Sequence, residues 1–277
     1  FGAEVKNSLI KLAEGLGAKP YLFRQDEPLG TGHAIMCAHE ILKGPAVVAY
    51  ADTLIRANLT LDPDADAVIW VKQVEHPNAF GVVELDQNKT IVNLVEKPQE
   101  FVSNLAVIGI YYFKEIERLK SALNQVVSKQ LEPGEEYQIN QGILAMIKDG
   151  AVFKTGEVNA WMDCGNPEIT IQTNSEMLDF KMAESEQLID PTATIENSTI
   201  IPPCFIGPNA VIKDSTLGPG VSVGAKTCVI NSTIKNSLIQ ENSLIQNFKS
   251  EKAMIGNHVH YDGNATFVSI GDYSELR

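Results

Sequence analysis

The chain has 277 residues, 44% hydrophobic and 21% charged, ordinary proportions for a globular protein with room for one large domain and a smaller one. A formal charge of −13 excludes long nucleic acid polymers as partners, because no basic stripe can neutralise a phosphate backbone, while a nucleotide stays open. No apolar run reaches the roughly 18 residues that cross a bilayer, no secretory signal opens the chain, and four scattered cysteines (Cys37, Cys164, Cys204, Cys228) exclude a disulfide framework or zinc site and fit a reducing cytoplasm.

In chain order, Val5, Leu9, Leu12 and Leu16 recur at helical spacing and predict a helix over 3–16, closed by Gly15 and Gly17. This helix starts at once after Phe1, a poor residue to be left by methionine removal, so the chain is expected to be a piece of a longer one. Tyr21-Leu22-Phe23 reads as a short strand feeding the loop Gln25-Asp26-Glu27-Pro28-Leu29-Gly30-Thr31-Gly32-His33-Ala34, and a helix carrying Ala34, Cys37 and Ile41 follows, stopped by Gly44-Pro45. The apolar run Ala46 to Tyr50, ending in Asp52, reads as a buried parallel strand with a carboxylate where open α/β sheets place ligands. Further strands are predicted at Ala67 to Val71, Ala106 to Phe113 and Ala151 to Lys154, with a hairpin of Phe80 to Leu85 and Thr90 to Val95 around Asp86-Gln87-Asn88-Lys89. Helices are predicted over 114–129, 136–147 and 167–181, the last closing the first unit. Alternating strands and helices with hairpin insertions indicate an α/β fold with a mixed, mainly parallel, Rossmann-like sheet over residues 1–185.

From residue 186 the texture changes. Ile189, Ile195, Ile201, Ile206, Ile212, Leu217, Val223 and Val229 follow a period of about six with single-residue slips, separated by turn formers such as Gly207-Pro208-Asn209-Ala210 and Gly218-Pro219-Gly220. Ile234, Ile239 and Ile245 continue more loosely, and Ile255-Gly256-Asn257 and Ile270-Gly271-Asp272 look like further hexad starts. One inward aliphatic per six-residue side describes a triangular β-helix over 186–277, with a cap or a subunit covering its end.

Leu29-Gly30-Thr31-Gly32-His33-Ala34, Tyr50-Ala51-Asp52, Gly81-Val82-Val83-Glu84, Val95-Glu96-Lys97-Pro98, Ser103-Asn104, Glu136-Tyr137-Gln138 and Trp161-Met162-Asp163-Cys164-Gly165 stand in one order along the chain. In that order they resemble the sugar-1-phosphate nucleotidyltransferases, the group with glucose-1-phosphate thymidylyltransferase and N-acetylglucosamine-1-phosphate uridyltransferase. The resemblance covers nearly the whole chain and implies a left-handed β-helix of hexapeptide repeats at its C-terminal end. It implies that a sugar 1-phosphate oxygen attacks the α-phosphorus of a nucleoside triphosphate, UTP or dTTP favoured, and releases pyrophosphate. Such a reaction needs in-line alignment and neutralised charge, with Mg2+ as the implied cofactor.

The resemblance implies that Asp52 and Asp163 hold the metal, and that Lys97 is the cation near the sugar phosphate. It makes Gln25, Pro28, Gly30 and Thr31 the base-side contacts, and Gly81, Glu96 and Asn104 the sugar-side ones. Read alone, Asp52 is also a strand-end cap, Asp163 a turn former, Gly30 part of a plain strand-to-helix turn and Thr31 a helix N-cap. His33 reads as a packing or hydrogen-bonding residue and Cys164, without a basic neighbour, as inert. His258 and His260 would share a face if extended, and read as two exposed histidines. The family's opening Gly-x-Gly-Thr-Arg loop has no counterpart here, since Gly15-Leu16-Gly17 is a helix end. The chain as it starts at Phe1 is therefore expected to be inactive by itself. The expected protein is a cytoplasmic homo-oligomer joined through the β-helix, without membrane contact. Two alternatives stay open: a bifunctional uridyltransferase with acyltransferase chemistry on the β-helix, and a catalytically silent regulatory or scaffold paralogue.

Overall fold

A computed structural model describes residues 2–57, 59–128, 130–132 and 134–266. The expected hexad start at Ile270 and the C-terminal limit of the helix expected to reach Lys129 lie outside them. The contacts divide the chain into two units, Phe1–Trp161 and Met162–Arg277.

The first unit starts with α1 (Ala3–Gly15), which ends as expected at Gly17 in the left-handed region. Ala18 N–H bonds to Ala13 O and Gly17 N–H to Glu14 O, so two orphan carbonyls are satisfied at the helix end. Then follow α2 (Thr31–Cys37), β1 (Ala46–Ala49), β2 (Thr53–Arg56), β3 (Ala67–Gln73), β4 (Gly81–Leu85), β5 (Ile91–Glu96), β6 (Leu105–Phe113), α3 (Ile116–Val127), α4 (Ile139–Lys148) and β7 (Phe153–Glu157). The main sheet has the order β5-β4-β6-β3-β7, with β1 also on β6.

Strand β3 explains where the core sits. Its continuous apolar run is buried on both faces, and the side chains alternate. Ala67, Ile69 and Val71 face a cluster with Tyr111, Phe113 and the apolar stripes of α3 and α4, while Val68 and Trp70 face a smaller one with Ile108 and Ile110. In α3 the stripe is Ile116, Leu119, Ala122 and Leu123, the spacing that puts four side chains on one helix face.

The sheet is mixed, as expected, but β3–β7 is its one parallel ladder among the described pairings. The ladder β4–β5 is a hairpin whose five-residue connection, Asp86 to Thr90, allows only antiparallel pairing; Asp86 Oδ1 accepts from Asn88 N–H and Thr90 N–H inside it. The run Ala46 to Tyr50 corrects the expectation of a buried parallel strand. It pairs antiparallel with β6 (Val48 opposite Tyr111) and leaves Val47 62% exposed, the one-sided burial that antiparallel strands allow. Tyr21-Leu22-Phe23, expected as a strand, is irregular and exposed, because no described strand offers it a ladder. The apolar stripe of α1 also stays exposed among the described residues.

The second unit contains α5 (Pro167–Ala183), capped by Asn166, whose side chain accepts from Ile169 N–H. This helix packs on the repeats, with Ser222 Oγ donating to Asn174 Oδ1 and Asn174 Nδ2 donating to Gly220 O. The repeats form a parallel β-solenoid of about four turns whose three flat sides are three parallel sheets. Stacked positions run Thr194, Val211, Cys228, Leu244 and His260 on one side, so a coil takes 17 residues at first and 16 later. The slips in the sequence period are thus corners shortened by one residue.

Ile206, Ile212, Leu217, Val223, Val229, Ile234, Ile239 and Ile245 are at most 1% exposed and form the inner stack. The loosely spaced Ile234, Ile239 and Ile245 belong to it fully. Ile201 does not: Ile200 is the residue in register with Leu217 and Ile234, and Ile201 is 39% exposed. Asn197, Asp214, Asn231 and Asn247 occupy one corner column at positive φ, where short polar side chains tolerate the left-handed region. Hydroxyls satisfy the buried backbone along the stack: Ser198, Ser215 and Ser232 accept in turn from the N–H groups of Ser215, Ser232 and Phe248. His258 takes another corner at φ 58, so it and the exposed His260 do not share an extended face.

Candidate active site

The loop before α2 is fixed from inside. Gly30 has φ 101 and ψ 174, a conformation reserved for glycine, and a Cβ there would stand 2.7 Å from Tyr137 O and 2.8 Å from Glu136 Cβ. Two backbone bonds hold the close approach, Gly32 N–H to Tyr137 O at 2.7 Å and Tyr137 N–H to Leu29 O at 2.9 Å. The glycine pair therefore serves the packing of the loop on segment 136–138, a structural role that the sequence left open.

Gln25 closes the loop. Its Nε2 donates to Gly30 O at 3.0 Å and meets His33 Nδ1 at 3.1 Å. Because Gly30 O only accepts, the NH2 group must face the loop; His33 Nδ1 is then an acceptor and both amide hydrogens are spent. The remaining Oε1 is an acceptor alone. His33 thus has the hydrogen-bonding role expected of it, and its ring lies 6.5 Å from Tyr137.

Thr31 is the first residue of α2, and its hydroxyl works on another helix. It accepts from Ile139 N–H at 3.0 Å and donates to Gln138 Oε1 at 3.1 Å, which caps α4 together with the reciprocal Gln138–Gln141 box. Pro28, on the same loop, is exposed.

The same first turn of α4 reaches a second group of expected residues. Gly81 stands opposite Glu96 in the β4–β5 ladder, and a Cβ on Gly81 would lie 2.8 Å from Glu96 Oε2. That oxygen accepts from Asn140 Nδ2 at 3.1 Å. Next to Glu96, Lys97 adopts φ 43, an uncommon conformation for a side chain of this kind, and its ammonium makes no ion pair among the described residues. Asn104 gives its backbone O to Val74 N–H, and its side-chain amide is unbonded among the described residues.

Between these groups lies a pair of phenols. Tyr50 follows β1, and its ring is 5.9 Å from that of Tyr111, which is 3% exposed. Burial pushes the Tyr50 phenol up; hydrogen bonds to Thr31 and Tyr111 pull it back, and the charges of Glu96 and Asp52 add to the rise. Burial, with Tyr50 and Glu96 adding, holds Tyr111 well above the usual phenol range. Both phenols are protonated donors at neutral pH.

Asp52 is exposed and its carboxylate has no hydrogen bond among the described residues. Asp163 belongs to the second unit, half-buried, with Oδ1 accepting from Gly165 N–H at 2.8 Å and its backbone O from Thr173 Oγ1 at 2.6 Å. The turn-forming role and a free Oδ2 coexist there. No group of three or more His, Cys, Asp or Glu among the described residues could hold a metal. Asp52 and Asp163 each keep an uncommitted carboxylate oxygen, the hard donor type that divalent ions such as Mg2+ take.

Thus Gln25, Gly30 and Thr31 come together with Tyr137 and Gln138, and Gly81 and Glu96 with Asn140. Sequence reading assigned no role to Tyr50, Tyr111 or Asn140. Tyr50 stands in the motif Tyr50-Ala51-Asp52, and Asn140 has one usable signal, a short amide in the first turn of a helix beginning at a Gln-x-x-Gln box.

Residues 4–179 match the family model described as nucleotidyl transferase. A glucose-1-phosphate thymidylyltransferase of Streptomyces antibioticus is 30% identical over 96% of this chain and 82% of its own length. The low-salt glycan biosynthesis nucleotidyltransferase Agl11 of Haloferax volcanii is 28% identical over 70% of this chain and 56% of its own length. A bifunctional protein GlmU of Methanococcus maripaludis is 28% identical over 64% of this chain and 42% of its own length. The chain thus spans about half the length of the last two relatives. A crystal structure of a nucleoside-diphosphate-sugar pyrophosphorylase from Vibrio cholerae shares the fold, with a TM-score of 0.51 and 19% identity over 62% of this chain and 76% of that one.

Proposed function

The chain belongs to the nucleotidyl transferase family, among its sugar-1-phosphate members, and from that premise we propose that it forms a nucleotide sugar from a pyrimidine nucleoside triphosphate and a sugar 1-phosphate. A phosphate oxygen of the sugar 1-phosphate bonds to the α-phosphorus, the bond from that phosphorus to the bridging oxygen breaks, and pyrophosphate leaves.

The observation that carries the reading of UTP or dTTP against CTP is the Gln25 amide. With both hydrogens spent on Gly30 O and His33 Nδ1, its Oε1 accepts from the N3–H of uracil or thymine. At cytosine the same ring position is itself an acceptor, so UTP or dTTP is favoured over CTP. On the sugar side, Glu96 accepts hydroxyl hydrogens through the oxygen that Asn140 leaves free, Asn104 offers an unspent amide, and Lys97 offers an unpaired charge for the sugar phosphate. The Gly81 backbone and the loop from Pro28 to Thr31 complete the walls. Asp52 and Asp163 supply hard oxygen ligands for a divalent ion, Mg2+ in this reading, which when bound neutralises the crowded phosphate charge.

Pyrophosphate release from the full-length protein, measured over a panel of triphosphates and sugar 1-phosphates with and without Mg2+, tests the reading. Turnover limited to UTP or dTTP supports it, and no metal-dependent turnover with any pair overturns it in favour of a regulatory or scaffold role. The alternative of a second activity, acyl transfer on the repeats, is tested by acetyl-CoA binding. Assembly of several copies through the solenoid and a cytoplasmic location are part of the proposal; among the described residues no helix is long and apolar enough to cross a membrane.

A further inference from the structure

Glu96 carries one polar side-chain contact that neither the motifs nor the family match assigns. Its Oε2 lies over Gly81, where a Cβ would stand, and accepts from Asn140 Nδ2 at 3.1 Å. An exposed glutamate at a strand end otherwise samples several rotamers, and few of them would aim the carboxylate at one ligand hydroxyl. The amide that selects this rotamer is itself well anchored. Asn140 stands in the first turn of α4, whose end is fixed by the Gln138–Gln141 box and by the Thr31 hydroxyl on Ile139 N–H. The positive end of the helix favours a carboxylate at that place.

We infer that Asn140 is the positioning residue for Glu96: it takes one lone pair of Oε2, holds the carboxylate over Gly81, and leaves Oε1 to accept from the hydroxyls of the sugar 1-phosphate. This inference rests on the nucleotidyltransferase reading, because it gives a second partner to the carboxylate that reading assigns to the sugar. In this inference Asn140 acts on the substrate through Glu96. A neutral amide suits the task, since a carboxylate there would repel Glu96. Gly81 belongs to the same device, as any side chain at 81 would push Oε2 away from Asn140.

Two measurements on the full-length protein test it. In the side-chain amide spectrum, the Asn140 NH2 resonances should move in Glu96→Ala and stay in place in Lys97→Ala. In calorimetry, Asn140→Ala should weaken α-D-glucose 1-phosphate about tenfold, the typical worth of a hydrogen bond to a charged group, and leave UTP binding unchanged. In a Glu96→Ala background the same substitution should add no further loss, whereas a purely structural defect would weaken both ligands in both backgrounds. Unchanged Asn140 resonances in Glu96→Ala, unchanged sugar phosphate affinity in Asn140→Ala, or equal losses with and without Glu96 would each overturn the inference. If the parent protein binds no sugar 1-phosphate while the Asn140 resonances still report Glu96, the functional reading has failed first, and this inference falls with it.

Discussion

Replacing Gly30 with alanine should be among the most costly single-methyl additions to the first unit. A non-glycine residue at φ 101 and ψ 174 costs about 1–3 kcal/mol in backbone strain. The new Cβ would also meet Tyr137 O at 2.7 Å, Glu136 Cβ at 2.8 Å and Tyr137 N at 2.9 Å, mostly main-chain atoms that no rotamer change can move away. Relief requires separating the loop from segment 136–138, which breaks the Gly32–Tyr137 and Tyr137–Leu29 bonds at about 1 kcal/mol each. The total is about 3–5 kcal/mol. Gly150→Ala is the control, because it shares a positive φ of 82 but meets open space, so strain alone remains, about 1 kcal/mol. Both tryptophans, Trp70 and Trp161, lie in the first unit, and Trp70 is 2% exposed, so urea unfolding followed by tryptophan fluorescence reads that unit. A Gly30→Ala midpoint within about 0.5 kcal/mol of Gly150→Ala, at unchanged slope, would refute the role given to this glycine.

Other outcomes follow from the same geometry. Asp52→Asn and Asp163→Asn should each remove about 3–4 kcal/mol of transition-state stabilisation, read as a loss of turnover in pyrophosphate release; full rates in both would remove them from the mechanism. Ile234→Ala, at a fully buried position of the solenoid, should cost about 3 kcal/mol, while Ile201→Ala should cost under about 1 kcal/mol; equal losses in thermal unfolding would contradict the register in which Ile200 points inward. Glu117 accepts from Gly44 N–H through both carboxylate oxygens, and backbone hydrogen bonds, together with nearby Lys120 and Lys43, lower its pKa below the usual range. Its contribution to stability is then complete above the ordinary glutamate value and is lost as pH falls through the lowered folded one. Glu117→Gln should accordingly flatten part of the acid limb of the stability profile, and an unchanged limb would count against the bond.

The fold was legible where one period dominated. Runs such as Ala67 to Val71 and Ala106 to Phe113 are strands because apolar β-branched and aromatic residues fill both faces of a sheet, and the solenoid announced itself through its spaced aliphatics. Pairing direction was less legible. Ala46 to Ala49 has the composition of a buried parallel strand, yet direction is set by which neighbour the chain reaches, and β6 runs antiparallel to it. Ile201 shows the limit of period counting: with corners one residue shorter in some coils, two adjacent isoleucines both satisfy the pattern, and the ladder chooses Ile200.

At the site, glycines and acids were visible as residue types, but their partners are remote in sequence. Thr31 reads as a cap of its own helix, since nothing local signals that its hydroxyl serves Ile139 more than a hundred residues away. Asn140 is silent in the sequence for the same reason: its meaning comes from Glu96, 44 positions earlier.

The central claim is that this chain carries the nucleotide and sugar sites of a pyrimidine-using sugar-1-phosphate nucleotidyltransferase. Phosphorus NMR of the full-length protein with UTP, α-D-glucose 1-phosphate and Mg2+ tests that claim most directly. The account expects the sugar phosphate signal to give way to a diphosphate diester, with pyrophosphate in equal amount and the same reaction with dTTP but not with ATP or GTP. An unchanged spectrum with UTP and dTTP across a panel of sugar 1-phosphates, or turnover confined to purine triphosphates, would contradict it.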